Sequence, residues 1–291
     1  MQLFWRRESA EADEGTERTG RTGRTGRWRR HGNLCGMKTR IGDRNVAYQD
    51  VGQGRAVILV HAFPLDGRMW QETAARLAGR CRVVAPDMRG FGESDLGDGR
   101  HSIADMADDV AALMDSLGLA KATVGGMSMG GYVSLAFAAR HRARLDKLIL
   151  ADTRAAADSD AARAGRADAL ALVEREGVSA YVERQLAALL SSSASEETKN
   201  RVRAFCRQSP QAVCAGIRAL RDRPDRRAEL AGIACPTLVM VGKEDKISPP
   251  AEAAEMAAAI PGSRLIEIPG AGHLSNLENP SDFVAAIAEF V

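Results

Sequence analysis

From residue 38 onward the chain alternates short continuous apolar runs with longer stretches of helical spacing. The run Ala-Val-Ile-Leu-Val-His at 56–61 has no polar break before its last residue, the mark of a strand buried on both faces of a parallel sheet. Further strands are expected at 44–51, 82–85, 122–126, 145–151, 236–242 and 265–268, with Pro86 closing the second of these. Helices are expected at 69–79, 103–117, 129–141, 250–260 and 280–291. In the second helix Ile103, Met106, Val110, Leu113, Met114 and Leu117 form one stripe. Ser102 stands at its N-cap, Asp105 in its first turn and Gly118 just past its end. The helices at 250 and 280 both open on proline. Repeated strand–helix–strand units imply the α/β class, with a mostly parallel central sheet and helices on both faces.

Region 153–232 interrupts that alternation. It carries helical patterns at 161–176 and 178–190, a Ser-Ser-Ser-Ala-Ser loop at 191–195, and no strand pattern. It reads as a helical cap inserted into a core made of 37–152 and 233–291. Residues 1–36 are different again, with eight Arg, five acidic residues and an Arg-Thr-Gly repeat. Such residues bury too little apolar surface to offset chain entropy, so disorder is expected. Three readings stand beside each other: a tail that binds nucleic acid, a solvated tail, and a stretch upstream of a biological start at Met37. The last is expected, because the globular pattern begins right after Met37. The apolar run of about 7–15 residues that a signal peptide needs is missing from 1–30.

Composition narrows the function classes. Hydrophobic residues make up 45% and charged residues 27%, and the net charge of +2 leaves no broad footprint for nucleic acid. No stretch approaches the roughly 18 apolar residues of a membrane span. The cysteines at 35, 81, 206, 214 and 235 have no C-x-x-C spacing, which argues against a disulfide framework or a zinc cluster and for reduced thiols in a cytoplasm. From 154 to 232 there are 13 Arg and Lys199 against 11 acidic residues, an excess that suits either an anionic substrate or solvated helix faces.

The chemistry centres on Gly126-Met127-Ser128-Met129-Gly130, a G-x-S-x-G segment between an expected strand and an expected helix. A sharp turn there would expose the Ser128 hydroxyl at the carboxyl edge of the sheet, above a helix N-terminus. A serine needs a base. Of the five histidines, His273 lies in Gly270-Ala271-Gly272-His273, a glycine-rich loop after the last strand. The base needs an orienting carboxylate, and Asp245, just after the penultimate strand, completes the order Ser, Asp, His; Asp152 is its rival. Two N–H donors are required for an oxyanion. Met129, after the nucleophile, and Phe63, in the loop His61-Ala62-Phe63-Pro64, are the candidates.

These segments, together with Asp87-Met88-Arg89-Gly90-Phe91-Gly92-Glu93-Ser94, resemble those of α/β-hydrolase fold enzymes over about residues 38–291. Within that family the chain is most similar to small esterases and 3-oxoadipate enol-lactonases, and to cofactor-free perhydrolases, which also tend to carry Met after the nucleophile. Ser128 separates it from epoxide hydrolases and haloalkane dehalogenases, which place Asp there. One departure is Ala62, where the family usually has Gly. The resemblance implies hydrolysis of small carboxylic esters or lactones through an acyl-enzyme, without cofactor or metal. The same residues would serve a perhydrolase or an acyltransferase, and a non-enzymatic ligand receptor is the remaining class. His61, Met69, Trp70 and Met127 are expected around the substrate; Met69, Trp70, Met127 and Phe205 suit an apolar core equally well.

Overall fold

The computed structural model describes residues 36–97 and 101–291, so the expectation for 1–35 lies outside the described residues. β1 (Met37–Ile41) and β2 (Arg44–Val51) form an antiparallel hairpin. β1 is not readable from the pattern: Met-Lys-Thr-Arg-Ile carries two cations, and its residues alternate between half-buried and exposed. The remaining strands are β3 (Ala56–Val60), β4 (Arg82–Pro86), β5 (Ala122–Met127), β6 (Leu145–Ala151), β7 (Thr237–Gly242) and β8 (Arg264–Ile268). They join β1 and β2 in one sheet of order β1-β2-β4-β3-β5-β6-β7-β8. β2 runs antiparallel to β4, and every pairing from β4 through β8 is parallel. β3, β5 and β7 are buried along their whole length, as unbroken apolar runs demand.

The helices are α1 (Gln71–Leu77), α2 (Ile103–Ser116), α3 (Met129–Arg140), α4 (Asp160–Leu189), α5 (Glu196–Phe205), α6 (Pro210–Arg221), α7 (Pro250–Ala259), α8 (Ser275–Glu278) and α9 (Pro280–Phe290). α2 begins with a reciprocal capping box between Ser102 and Asp105, and Gly118 follows it in the left-handed region. The helix expected at 69–79 is shorter: it opens as a 3₁₀ turn, Gly67–Trp70, because the Asp66 carboxylate accepts from the Arg68 amide and tightens the entry.

α4, α5 and α6 all lie between β6 and β7. α4 contains both helical patterns, broken at Gly177, whose φ of 84° no helix accommodates. Arg223, 4% exposed, ties this insertion to the core. Its guanidinium reaches Asp158 Oδ1 at 2.5 Å and the Ala156 carbonyl at 3.0 Å, and lies 4.2 Å over the Tyr132 ring of α3. Much of the insertion's arginine excess is spent on local pairs such as Arg203–Glu183, Arg227–Asp225 and Arg166–Asp158.

The sheet order positions the site. From β3 the chain crosses to β4 on one side and later to β5 on the other, so the loops after β3 and β5 diverge from adjacent strands at a topological switch point. Val60 pairs with Gly126, Ala151 with Met127 and Met240, and Gly242 with Ile268, which brings the carboxyl ends of β3 and β5 through β8 to one edge. No helix of the described residues is long and apolar enough to cross a membrane.

Candidate active site

Ser128 occupies the turn between β5 and α3 with φ 55° and ψ −111°, a strained conformation for any residue with a side chain. The turn is pinned from β6: the Ser128 amide donates to the Ala151 carbonyl at 2.9 Å, and the Thr153 hydroxyl donates to the Ser128 carbonyl at 2.8 Å. The flanking glycines are steric necessities. A Cβ on Gly126 would stand 2.5 Å from the Gly130 backbone, and one on Gly130 would stand 2.1 Å from the Val60 carbonyl oxygen.

His273 Nε2 lies 2.8 Å from Ser128 Oγ, and His273 Nδ1 lies 2.8 Å from Asp245 Oδ2. The structure therefore brings together the three side chains expected from the sequence. His273 and Asp245 are buried, whereas Ser128 is only half-buried. The two loops are joined by the Glu244 amide, which donates to the Ala271 carbonyl at 2.9 Å. Asp245 is fully engaged. Its Oδ1 accepts from the Ile247 and Ser248 amides at 2.8 and 3.0 Å, and its Oδ2 accepts from the Ser248 hydroxyl at 2.8 Å. Burial alone would raise its pKa; the His273 contact and the Ser248 donors outweigh burial and hold it below the ordinary value.

Asp152, the rival carboxylate, does not reach His273. It is fully buried; its Oδ1 accepts from the Gly242 amide at 2.7 Å, and its Oδ2 lies 2.5 Å from the Ser275 hydroxyl oxygen. The Phe63 and Met129 amides sit at the ends of neighbouring β3 and β5, and neither has an acceptor among the described residues. No three His, Cys, Asp or Glu side chains of the described residues converge in a way that could hold a metal.

A model of the alpha/beta hydrolase fold family matches residues 55–280. The chain belongs to that family. Three similar proteins place it further. AB hydrolase superfamily protein YisY of Bacillus subtilis is 32% identical over 254 residues, spanning 83% of this chain and 93% of that protein. A thermophilic esterase from Thermogutta terrifontis is 41% identical with a TM-score of 0.83, over 88% of this chain and 97% of that one. The enol-lactonase from Burkholderia xenovorans LB400 is 28% identical with a TM-score of 0.81, over 87% and 98% of the two chains.

In this hydrolase-fold chain the side chains expected around the substrate are all buried and have partners inside the protein. His61 is fully buried; its Nε2 accepts from the Met88 amide at 3.0 Å, so Nδ1 carries the proton and donates to the Ala62 carbonyl at 3.0 Å. Burial lowers its pKa, which keeps the ring neutral for this bracing contact. Met69 accepts from the Ala62 amide at 3.2 Å, Trp70 packs on Phe283 with centroids 5.9 Å apart, and Met127 is fully buried in β5. Irregular backbone at the sheet edge needs internal partners, and His61 and Met69 supply them. Phe205 lies under the Arg68 guanidinium at 5.5 Å. The insertion also meets the core at Phe63, whose ring lies 6.1 Å from Tyr181 of α4 and 5.9 Å from Phe91 of the core.

Ser248, Thr153 and Glu278 escaped the sequence reading. Ser248 had a local signal, a hydroxyl three residues after Asp245, next to the Ile247 amide that closes an Asx turn on the carboxylate. Glu278 had none. Its carboxylate accepts from the Gly272 amide of the His273 loop and from the Ser191 amide of the insertion, both at 2.8 Å.

Proposed function

We propose that this chain is a serine hydrolase that cleaves carboxylic esters or lactones of small molecules. The observation that carries this reading is the unbroken hydrogen-bonded line from Ser128 Oγ to His273 Nε2 and from His273 Nδ1 to Asp245 Oδ2, each contact 2.8 Å long. His273 takes the Ser128 proton as the oxygen attacks the carbonyl carbon. Asp245 holds the imidazole in the required tautomer and stabilises the cation that forms. The Phe63 and Met129 amides, which have no acceptor of their own among the described residues, receive the oxyanion. His273 then protonates the leaving alcohol and activates water against the acyl-enzyme. In a lactone the leaving alcohol stays tethered, and a hydroxy acid is the single product. Residues 153–232 act as a cap over this site.

The esterase and enol-lactonase relatives support the class of bond. A panel of neutral and carboxylated esters and lactones tests the reading. Turnover is expected with wild type, and a loss of about 10⁴–10⁶-fold in kcat with Ser128→Ala. Hydrolysis retained by that variant would contradict it.

A further inference from the structure

We propose that Asp152 is a positioning residue for this reaction, whose carboxyl group fixes the arms bearing Asp245 and His273 relative to the arm bearing Ser128. The proposal rests on the hydrolase reading above. Asp152 follows β6, the strand between β5 and β7. Its amide donates to the Met240 carbonyl at 2.9 Å, and its Oδ1 accepts from the Gly242 amide at 2.7 Å, three residues before Asp245. Its Oδ2 meets the Ser275 hydroxyl at 2.5 Å, two residues after His273. The residues on either side of it hold the nucleophile: Ala151 accepts the Ser128 amide and Thr153 donates to the Ser128 carbonyl. Asp152 and its two chain neighbours thus link all three arms.

Two further observations set Asp152 apart from ordinary packing. Its φ is 44°, in the left-handed region that residues with a side chain rarely adopt. Its carboxyl also has charged neighbours: Asp245 after β7 and Glu278 of α8, with His273 beyond Asp245. Burial, then the charge of Asp245, push its pKa well above the ordinary value, a shift toward the neutral acid. A neutral acid braces the loops without placing a second negative charge under the His273–Asp245 pair. Asparagine is its near isostere: the amide oxygen accepts from Gly242 and the amide NH₂ donates to Ser275.

The test is the rate at which a fluorophosphonate modifies Ser128, followed by intact mass across pH, in wild type, Asp152→Asn, Asp152→Ala and Ser128→Ala. Asp152→Asn is expected within about threefold of wild type, with the acid limb of its pH profile unmoved. Asp152→Ala is expected to be at least about tenfold slower, the scale of loss from loops displaced by a fraction of an ångström. Ser275→Ala, which deletes one contact only, is expected to slow labelling in the same direction by a smaller factor, and serves where Asp152→Ala does not fold. Labelling of Asp152→Ala or Ser275→Ala at the wild-type rate overturns the positioning role alone. An acid limb displaced by Asp152→Asn shows a charged Asp152 and overturns it as well. Wild type left unlabelled, or labelled as readily as Ser128→Ala, overturns the hydrolase reading and this proposal with it.

Discussion

Gly216, in the middle of α6, lies against the ring of Phe63: a Cβ built on it would stand 2.6 Å from Phe63 Cε2 and 3.0 Å from Phe91 Cζ. Glycine inside a helix costs roughly 1 kcal/mol relative to alanine, so something must require it here. The two rings are that requirement. Gly216→Ala improves the intrinsic helix preference but drives a methyl into rings fixed by the loops after β3 and β4. Overpacking of this kind costs about 1–3 kcal/mol. The variant is expected to melt no higher than wild type and to lose kcat through displacement of the Phe63 amide. Unchanged kcat with a raised Tm would contradict this.

Ser248 supplies Asp245 with both an amide and a hydroxyl. Ser248→Ala keeps the amide and removes the hydroxyl. A hydrogen bond to a charged group is worth about 1.5–3 kcal/mol, so kcat is expected to fall roughly tenfold or somewhat more, with KM little changed. Steady-state kinetics on any turned-over ester checks it; a change confined to KM would be inconsistent with action through Asp245.

Asp87, braced by the Gly67 and Glu93 amides, has its pKa raised from 3.8 to about 6, first by burial and further by the Asp66 charge. Between those values the folded chain holds a proton that the unfolded chain has released. Stability therefore falls as pH rises from about 4 to about 6, by up to about 3 kcal/mol from this group. Urea unfolding of wild type and Asp87→Asn across that window should show the slope lessened in the variant. Parallel pH dependence in the two would rule out Asp87 as its source.

Glu278 fastens the insertion to the His273 loop through the Ser191 and Gly272 amides. Glu278→Ala leaves both amides without their acceptor. Limited proteolysis is expected to cut the loop at 190–195 faster in the variant than in wild type, at matched global stability. Equal cleavage rates would show that the contact does not restrain the insertion.

The fold was legible because buried parallel strands announce themselves as apolar runs, as at 56–60, and because Ser102, Asp105 and Gly118 mark helix ends by local hydrogen bonding. Ser128, Asp245 and His273 were legible for a related reason, since each sits on a short turn directly after a strand. β1 was hidden because an edge strand half exposed to water needs no apolar run. The surroundings of the site were harder. His61, Met69, Trp70 and Met127 adjoin the right loops, but which way a side chain points from an irregular loop depends on partners far away in sequence. The Met88 amide on His61 and Phe283 on Trp70 are such partners. Glu278 is the extreme case, joining backbone amides from two distant segments that share no pattern.

The central claim is that Ser128 becomes acylated, and trapping the acyl-enzyme tests it most directly. Wild type mixed with excess activated short-chain ester and quenched in acid during the first turnovers should carry one acyl group, located by peptide mapping on Ser128, and Ser128→Ala should carry none. Acyl mass on another residue, an adduct of equal yield on Ser128→Ala, or ester consumed by wild type with no adduct at any quench time would contradict the account.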